Sequence, residues 1–451
     1  MLRTTDNNCG KTLKELDEHL SEKELDEHWE NLLSIGNCKI EDLCKNSPDL
    51  FIFPKSSEKY HDDIEKSPIF SLQEKDKKLI TSNIMGFVGK NETQLTISSR
   101  FAKDENDYFL HYMLQKVFSI NIFKFEQTPN KENIWDFLLY LFPYYLKKAY
   151  KQSLYKAYKR EEYNDANIKG TTDVKRHIRT NIPFCGKVAY SMREHNYDNT
   201  LNQLIRHTIE HIRTHPWGSN LLTSDSEMRD IVSKFCFITQ QTYNKNARQK
   251  IISANLKPVS HPYFTEYKEL QKICLRILRH EKITFGAKND KIYGLLFDGA
   301  WLWEEYLNKV LQDNFIHPEN KTKKDKEYLF ENFQPIYPDF ISKEQPIKVG
   351  DAKYIPLENK KNIGDDEKAT SIYYKTITYM YRFNSTEGFL LFPHPEISFD
   401  EKYKIKDTDG SLRKLGLAIP KNAESFIDFQ NAMRENEESI KNELIKNSQS
   451  Y

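Results

Sequence analysis

The order of elements between residues 291 and 395 constrains the fold more than any other feature of this chain. A helix is predicted over 297–314, strands over 335–342 and 347–355, a helix over 367–383 and a strand over 388–393. A helix, a central hairpin, a helix and a further strand make a compact α/β module. Inside the hairpin, "YPDFISKEQPIKVGDAKY" (337–354) sets Asp339, Asp351 and Lys353 in runs that otherwise read as strand. Charged side chains on the inner wall of a sheet are costly unless something pairs with them.

Strand side chains alternate faces, so Asp351 and Lys353 point the same way, about 7 Å apart along the backbone, with Val349 and Ile355. Gly350 and Ala352 on the other face are small enough for a helix to pack closely. The "SKEQP" turn returns the chain beside Asp339 and brings both carboxylates within reach of one ion. Two carboxylates suit Mg²⁺, a hard ion that takes oxygen ligands and keeps some waters. Such an ion draws charge from a scissile phosphate and acidifies a bound water. Lys353 beside them is suited to position the attacking water and stabilise charge in the transition state.

A third carboxylate is expected from "LLFDGAWLWEEYLNKVLQ". At about 100° per residue, Ala300, Glu304, Leu307 and Leu311 share one stripe, so Glu304 leans to the apolar side and needs a partner. Glu305 falls with Trp301, Lys309 and Gln312, where pairing to Lys309 makes it an ordinary solvated residue. Structural ion pairs between Lys353 and the aspartates are the alternative reading of the set.

Upstream, "TLKELDEHLSEKELDEHWENLLS" (12–34) reads as acidic helix with ELDEH twice, too short a period for a repeat architecture. "NIMGFVGKNETQLTISSRF" (83–101) reads as two strands around "GKNET". Helices are expected at "DYFLHYMLQKVF" and from "NIWDFLLYLF" through "YKAYKREE", strands between 168 and 191, and long helices from 198 to 285. "EKYKIKDTDGSLRKLGLAIP" reads as a hairpin, followed by a terminal helix from about 423.

The motifs "PDF" with Asp339, "DAK" with Asp351 and Lys353, and an upstream helix glutamate, Glu304, have the pattern of the PD-(D/E)xK nucleases. "LFDGAWLWEEYL", "YPDF…VGDAKY" and "YYKTITYMYRF" followed by "GFLLFP" resemble the McrC-type nuclease subunits, particularly those of the LlaJI restriction family. "GFVGKNETQLTISSRF…NDYFLHYMLQKVF" and "IKGTTDVKRHIRTNIPFCGKVAYSMREHNYDNTLNQLIRHT" are similar to that family's N-terminal and middle regions, so the likeness spans roughly residues 80–395.

The resemblance implies an Mg²⁺-dependent endonuclease of double-stranded DNA, with Mn²⁺ able to substitute, coupled to an McrB-like AAA+ GTPase; the cytoplasmic location expected for it comes from the scattered cysteines. Asp339, Asp351 and Glu304 would hold metal, the Ala352 carbonyl would be a further ligand, and Lys353 would position the nucleophile. Many of these nucleases carry glutamine on the following helix; here Lys375 stands at that place, to contact phosphate or reach solvent. The expected architecture is multidomain α/β. It runs through a helical and mixed segment (1–80), a β-containing docking region with a basic helix (81–197), a helical middle (198–285), a PD-(D/E)xK restriction-endonuclease-like module (286–420), and a C-terminal helix and tail (421–451). The alternatives are a non-cleaving adaptor that stimulates a motor and a nuclease that cuts alone.

The net charge of +1 fits this implication, because a broad nucleic-acid grip usually needs a far more basic chain. No P-loop "GxxxxGK[ST]" occurs, so this chain is expected to bind no nucleotide and any motor is a separate polypeptide. The six scattered cysteines form no CxxC pair and fit reduced thiols. No apolar run spans a membrane, and the N-terminus lacks the apolar core of a secretory signal. "YYLKKAYKQSLYKAYKR" (144–160) offers Lys147, Lys148, Lys151, Lys156, Lys159 and Arg160 for phosphates, or as a solvated helix face. His207, His211 and His215 fall on one side of a helix, read as a polar face rather than a zinc site.

Overall fold

The computed structural model describes residues 2–47, 49–54, 67–103, 107–118, 133–214, 218–223, 225–279, 292–318, 327–331, 333–355, 357, 367–395 and 397–445. It is a mixed α/β chain of two compact units, one formed by Met1–Phe123 with Phe285–Tyr451, the other by Lys124–Thr284. This division differs from the five consecutive segments expected, because strands far apart in sequence pair within the first unit.

In the first unit, a five-stranded sheet has the order Leu2–Thr5, Thr93–Ser98, Ile84–Lys90, Ile292–Asp298, Asp49–Phe53. The expected hairpin is present, with Lys90 opposite Thr93 and the turn residue Asn91 at φ 53°, a conformation asparagine tolerates. Gly86, at φ 125°, lies where a Cβ would strike the carbonyl of Leu295. Close approach by the Ile292–Asp298 strand thus requires glycine there. Apolar residues of the first 80 positions, among them Leu2, Leu32, Ile35, Phe70 and Leu79, share a core with Val88, Leu95, Ile97 and Leu296. The expected helix over 12–34 is two helices, Leu13–Leu16 and Glu22–Leu33. The doubled ELDEH carries two capping boxes, Thr12 with Glu15 and Ser21 with Glu24, each satisfying the first free amides of its own helix.

Asp298 ends the strand and caps the next helix, Gly299–Leu311, by accepting from the Ala300 amide at 2.9 Å. That helix leads into a six-stranded sheet of order Phe315–Ile316, Phe340–Ser342, Lys348–Ala352, Glu387–Pro395, Ser411–Ile419, Phe399–Lys404. Its three central strands run parallel and its flanking pairs antiparallel. Buried parallel strands read as continuous apolar runs, as "GFLLF" and "LGLAI" do. Glu367–Arg382 lays Tyr379 and Met380 against Val349, and Ile372 and Tyr373 against Leu390 and Phe392. On the other face the space at Gly350 is filled by the ring of Phe389 from the adjacent strand, not by a helix as expected.

The C-terminal helix, Phe426–Ile445, is an integral part of this unit. Its buried Glu437 accepts from Tyr112 at 2.8 Å, Tyr306 at 2.7 Å and Lys116 at 2.9 Å, joining three helices.

In the second unit, Ala157–Asp165 and Val188–Asn196 form an antiparallel pair with Thr171–Thr172 on the latter's other side. Its longer described helices are Asn133–Tyr150, Thr200–Arg213, Ser226–Ile238 and Tyr267–Arg279. Two expectations are corrected here. The basic helix ends at Tyr150, with Ser153 at φ 75° breaking the run, so Lys159 and Arg160 lie on a strand and Lys156 just before it. "DVKRHIR" is helix rather than strand, because the Asp173 side chain caps Val174–Thr180.

Candidate active site

Hairpin register assembles the site. Phe340 pairs with Gly350 and Ile341 with Val349, which sets Asp339 across from Asp351 on one face. Asp339 Oδ2 accepts from the Ala352 amide at 2.8 Å, so the first aspartate is fixed to the second strand by its own carboxylate. Lys353 prolongs that strand by donating its amide to Leu391 at 2.9 Å, and its ammonium returns to the Asp351 carboxylate and to the Ala352 carbonyl at 3.1 Å. Strand alternation therefore pairs Asp351 with Lys353 as the sequence led one to expect.

Asp351 is fully buried, and neither of its oxygens has a hydrogen-bond partner of ordinary geometry. Two ammoniums compensate it instead: Lys353, and Lys375 at 3.8 Å from the Glu367–Arg382 helix. Burial alone would raise its pKa, but Lys353 and Lys375 outweigh burial and hold the carboxyl below its ordinary range. Asp339 moves the opposite way, raised well above its usual value by burial and by the Asp351 and Glu304 charges. The two carboxyls therefore titrate as one interacting pair, displaced upward at Asp339 and downward at Asp351. Burial would lower Lys375, yet the Asp351 and Asp339 charges and its contact with Tyr379 together raise it. Lys375 keeps nearly half its side chain exposed and lies over the Tyr379 ring, with the Tyr379 hydroxyl donating to the Tyr337 carbonyl at 3.1 Å.

Glu304 joins this set from its helix with its side chain only 16% exposed. Its stripe needs correction: Ala300 is exposed, whereas Trp301, expected beside Glu305 in solvent, is buried. The helix buries Leu302, Trp303, Tyr306, Leu307, Val310 and Leu311 as well, a wider apolar surface than one stripe. His317 is the residue that sequence reasoning missed. Its Nδ1 is 2.7 Å from the Asp339 carbonyl and its Nε2 is 3.5 Å from Glu304 Oε1. A lone histidine directly after an unremarked two-residue strand gives no periodic signal.

Among the described residues no three His, Cys, Asp or Glu side chains stand as a ready metal cage. The donor set nonetheless fits a hard divalent ion, which needs only one or two carboxylates beside its waters. The mutual repulsion of Asp339, Asp351 and Glu304 is what such an ion would relieve.

The other expected residues lie in the second unit. Lys147 pairs with Asp225 at 2.6 Å and Glu227 at 3.3 Å, and Lys148 with Glu266 at 3.2 Å. Lys156 lies over the Tyr197 ring, Arg160 donates to Ser191 at 3.0 Å, and Lys151 is exposed. The Lys159 side chain and His215 fall outside the described residues. His207 is buried against Tyr243 rather than on a solvated polar face, and its Nε2 has no hydrogen-bond partner. Among the described residues no helix is long and apolar enough to cross a membrane.

Residues 79–393 match the family model described as McrBC 5-methylcytosine restriction system component. No curated protein matches the chain. One similar solved chain comes from the refined half-complex of a tetradecameric assembly of Thermococcus gammatolerans McrB AAA+ hexamers with bound McrC. It shares 16% identity at a TM-score of 0.47, over 98% of this chain and 99% of that one. Another comes from the cryo-EM structure of the Thermococcus gammatolerans McrBC complex, with 15% identity and a TM-score of 0.32, over 69% of this chain and 87% of that one. The family match takes in Glu304, Asp339, Asp351, Lys353 and Lys375 together with the hairpin at 84–98, and the chain therefore belongs to the family of McrBC 5-methylcytosine restriction system components.

Proposed function

We propose that this chain is the nuclease subunit of an NTP-driven restriction complex and hydrolyses phosphodiester bonds of double-stranded DNA at a PD-(D/E)xK site. The observation that carries the reading is buried Asp351, faced by Asp339 across the hairpin and ion-paired by Lys353 and Lys375. Asp339 and Asp351 would hold Mg²⁺ or Mn²⁺, with Glu304 and the Ala352 carbonyl completing the oxygen set. Once bound, the ion would supply charge for the phosphate oxygens and acidity for a bound water. Lys353, held against Asp351, presents an ammonium where charge builds on the reacting phosphate. Lys375, half-exposed, is placed to meet a phosphate oxygen from the mouth of the site while its other contact is Asp351.

The partner in this reading is an McrB-like AAA+ GTPase. Docking is supported by the second unit, which exposes Ile168, Val174, Ile178, Ile182 and Phe184 within one short stretch. An exposed apolar group of this kind marks an interaction surface.

The test combines purified chain, plasmid and Mg²⁺, with and without the motor and GTP. Cutting is expected only with both, and Asp351→Ala should lower it by about 10³-fold or more, the scale of losing a reaction-centre charge. Glu304→Gln should impair cutting strongly and Glu305→Gln little. An Asp351→Ala complex that still cuts would overturn the site; wild-type chain that stimulates the motor's GTP hydrolysis without cutting would favour the adaptor reading; cutting without the motor would favour a stand-alone nuclease.

A further inference from the structure

We infer that His317 is a positioning residue that binds the Glu304 side chain and the Asp339 peptide into one unit, an inference that rests on the metal-dependent reading above. The short strand Phe315–Ile316 pairs antiparallel with Phe340–Ser342, Ile316 facing Ile341, so the chain delivers His317 alongside Phe340, with ring centroids 5.5 Å apart. There the imidazole meets two polar groups at once. Nδ1 lies 2.7 Å from the Asp339 carbonyl, and because a carbonyl only accepts, Nδ1 carries the hydrogen. Nε2 faces Glu304 Oε1 at 3.5 Å, and with a proton on this nitrogen as well the ring ion-pairs with the carboxylate. The two side chains are 11% and 16% exposed, so water contributes little to holding either.

A purely structural histidine would need only the first contact. The bond to the Asp339 carbonyl is enough to seal the edge of the sheet, and nothing in that role requires the opposite nitrogen to meet a carboxylate. That carboxylate belongs to the helix residue whose charge bears on Asp339. One rigid ring therefore spans the edge strand, the hairpin strand and the helix, and fixes the distance between two of the three acids. Partners that orient a ligating carboxylate without touching the ion typically change metal affinity by 10–100-fold. The class of ligand governed this way is a divalent cation bound through oxygen.

The experiment titrates Mn²⁺ into the full chain by calorimetry, without DNA, for wild type, His317→Ala and His317→Asn, each with and without Glu304→Gln. His317→Ala should weaken Mn²⁺ binding by about tenfold. His317→Asn keeps an N–H for the Asp339 carbonyl but cannot reach Glu304, so it should melt like wild type and still bind Mn²⁺ several-fold more weakly. In the Glu304→Gln background neither substitution should matter further, because the coupled partner is gone. Wild-type affinity in both His317 variants would overturn the inference, as would an equal loss with Glu304 and with Gln at 304. Should His317→Ala fail to fold, the Asn variant decides alone by the same two criteria. Wild-type chain that takes up no Mn²⁺ at millimolar concentration would bring down the metal reading itself, which a deficit confined to the variants would not.

Discussion

Asp339 is under opposing demands, and its titration exposes them. Burial, Asp351 and Glu304 push its carboxyl well above the ordinary 3.8. A group whose folded pKa is raised contributes stability in full below its unfolded pKa and loses it as pH climbs through the folded value. At neutral pH and without metal the Asp339 carboxyl therefore weighs against the fold. Asp339→Asn should stabilise the metal-free chain by about 1–2 kcal/mol, the size usual for relieving strain at a functional site, while abolishing cutting. Thermal melts in a chelator should separate variant from wild type by more at pH 8 than at pH 5, and added Mg²⁺ should stabilise only the wild type; an equal gap at both pH values would refute the assignment. The Asp339, Asp351 and Lys353 set was legible because strand alternation has a period of two, so spacing alone fixes which charges share a face. Glu304 was legible from helical phase, although the burial of Trp301 shows that one stripe was too narrow a picture. His317 was not, since its role arises from pairing with a strand 24 residues further on.

At the scale of elements, the Phe426–Ile445 helix is locked by one buried acid. Glu437 takes the Tyr112 and Tyr306 hydroxyls and the Lys116 ammonium, amid edge-on contacts of Tyr112 with Phe426 and Phe429. Glu437→Leu would strand two buried hydroxyls and should cost about 3 kcal/mol, whereas Glu437→Gln, which retains an acceptor, should cost less. Urea unfolding of the two variants checks this, and equal midpoints would show that the hydroxyls find other partners. The helix itself was readable from the sequence; its importance was not, since Tyr112, Tyr306 and Glu437 converge only in the fold. The failed basic helix has a similar cause. "YKAYKREEY" is polar on both sides, so no apolar period marks it as strand, and only its partner Val188–Asn196 decides the matter.

Across the first unit, the residue that follows the amino-terminal hairpin, Arg100, reaches the chain just past the Lys348–Ala352 strand. Its guanidinium grips Asp6 at 2.8 Å, donates to the Tyr354 carbonyl at 3.3 Å and lies over the Tyr354 ring. Tyr354 directly follows Lys353, so the peptide that carries the ammonium paired with Asp351 is braced by residues more than 250 positions upstream. Arg100→Ala should slow cutting by about tenfold or more through misplacement of Lys353, well below the melting temperature. Arg100→Lys should not restore it, because a single ammonium cannot serve a carboxylate, a carbonyl and an aromatic face together. Full activity in either variant, measured as single-turnover plasmid cleavage, would refute the brace. The insertion of Lys124–Thr284 into this unit carries a different consequence. A guest block with both ends tethered to one host can be lengthened, trimmed or traded for another without reordering a single strand of the host. On the proposed reading, choice of partner can thus drift in evolution while the host that holds Glu304, Asp339, Asp351 and Lys353 is inherited as one piece.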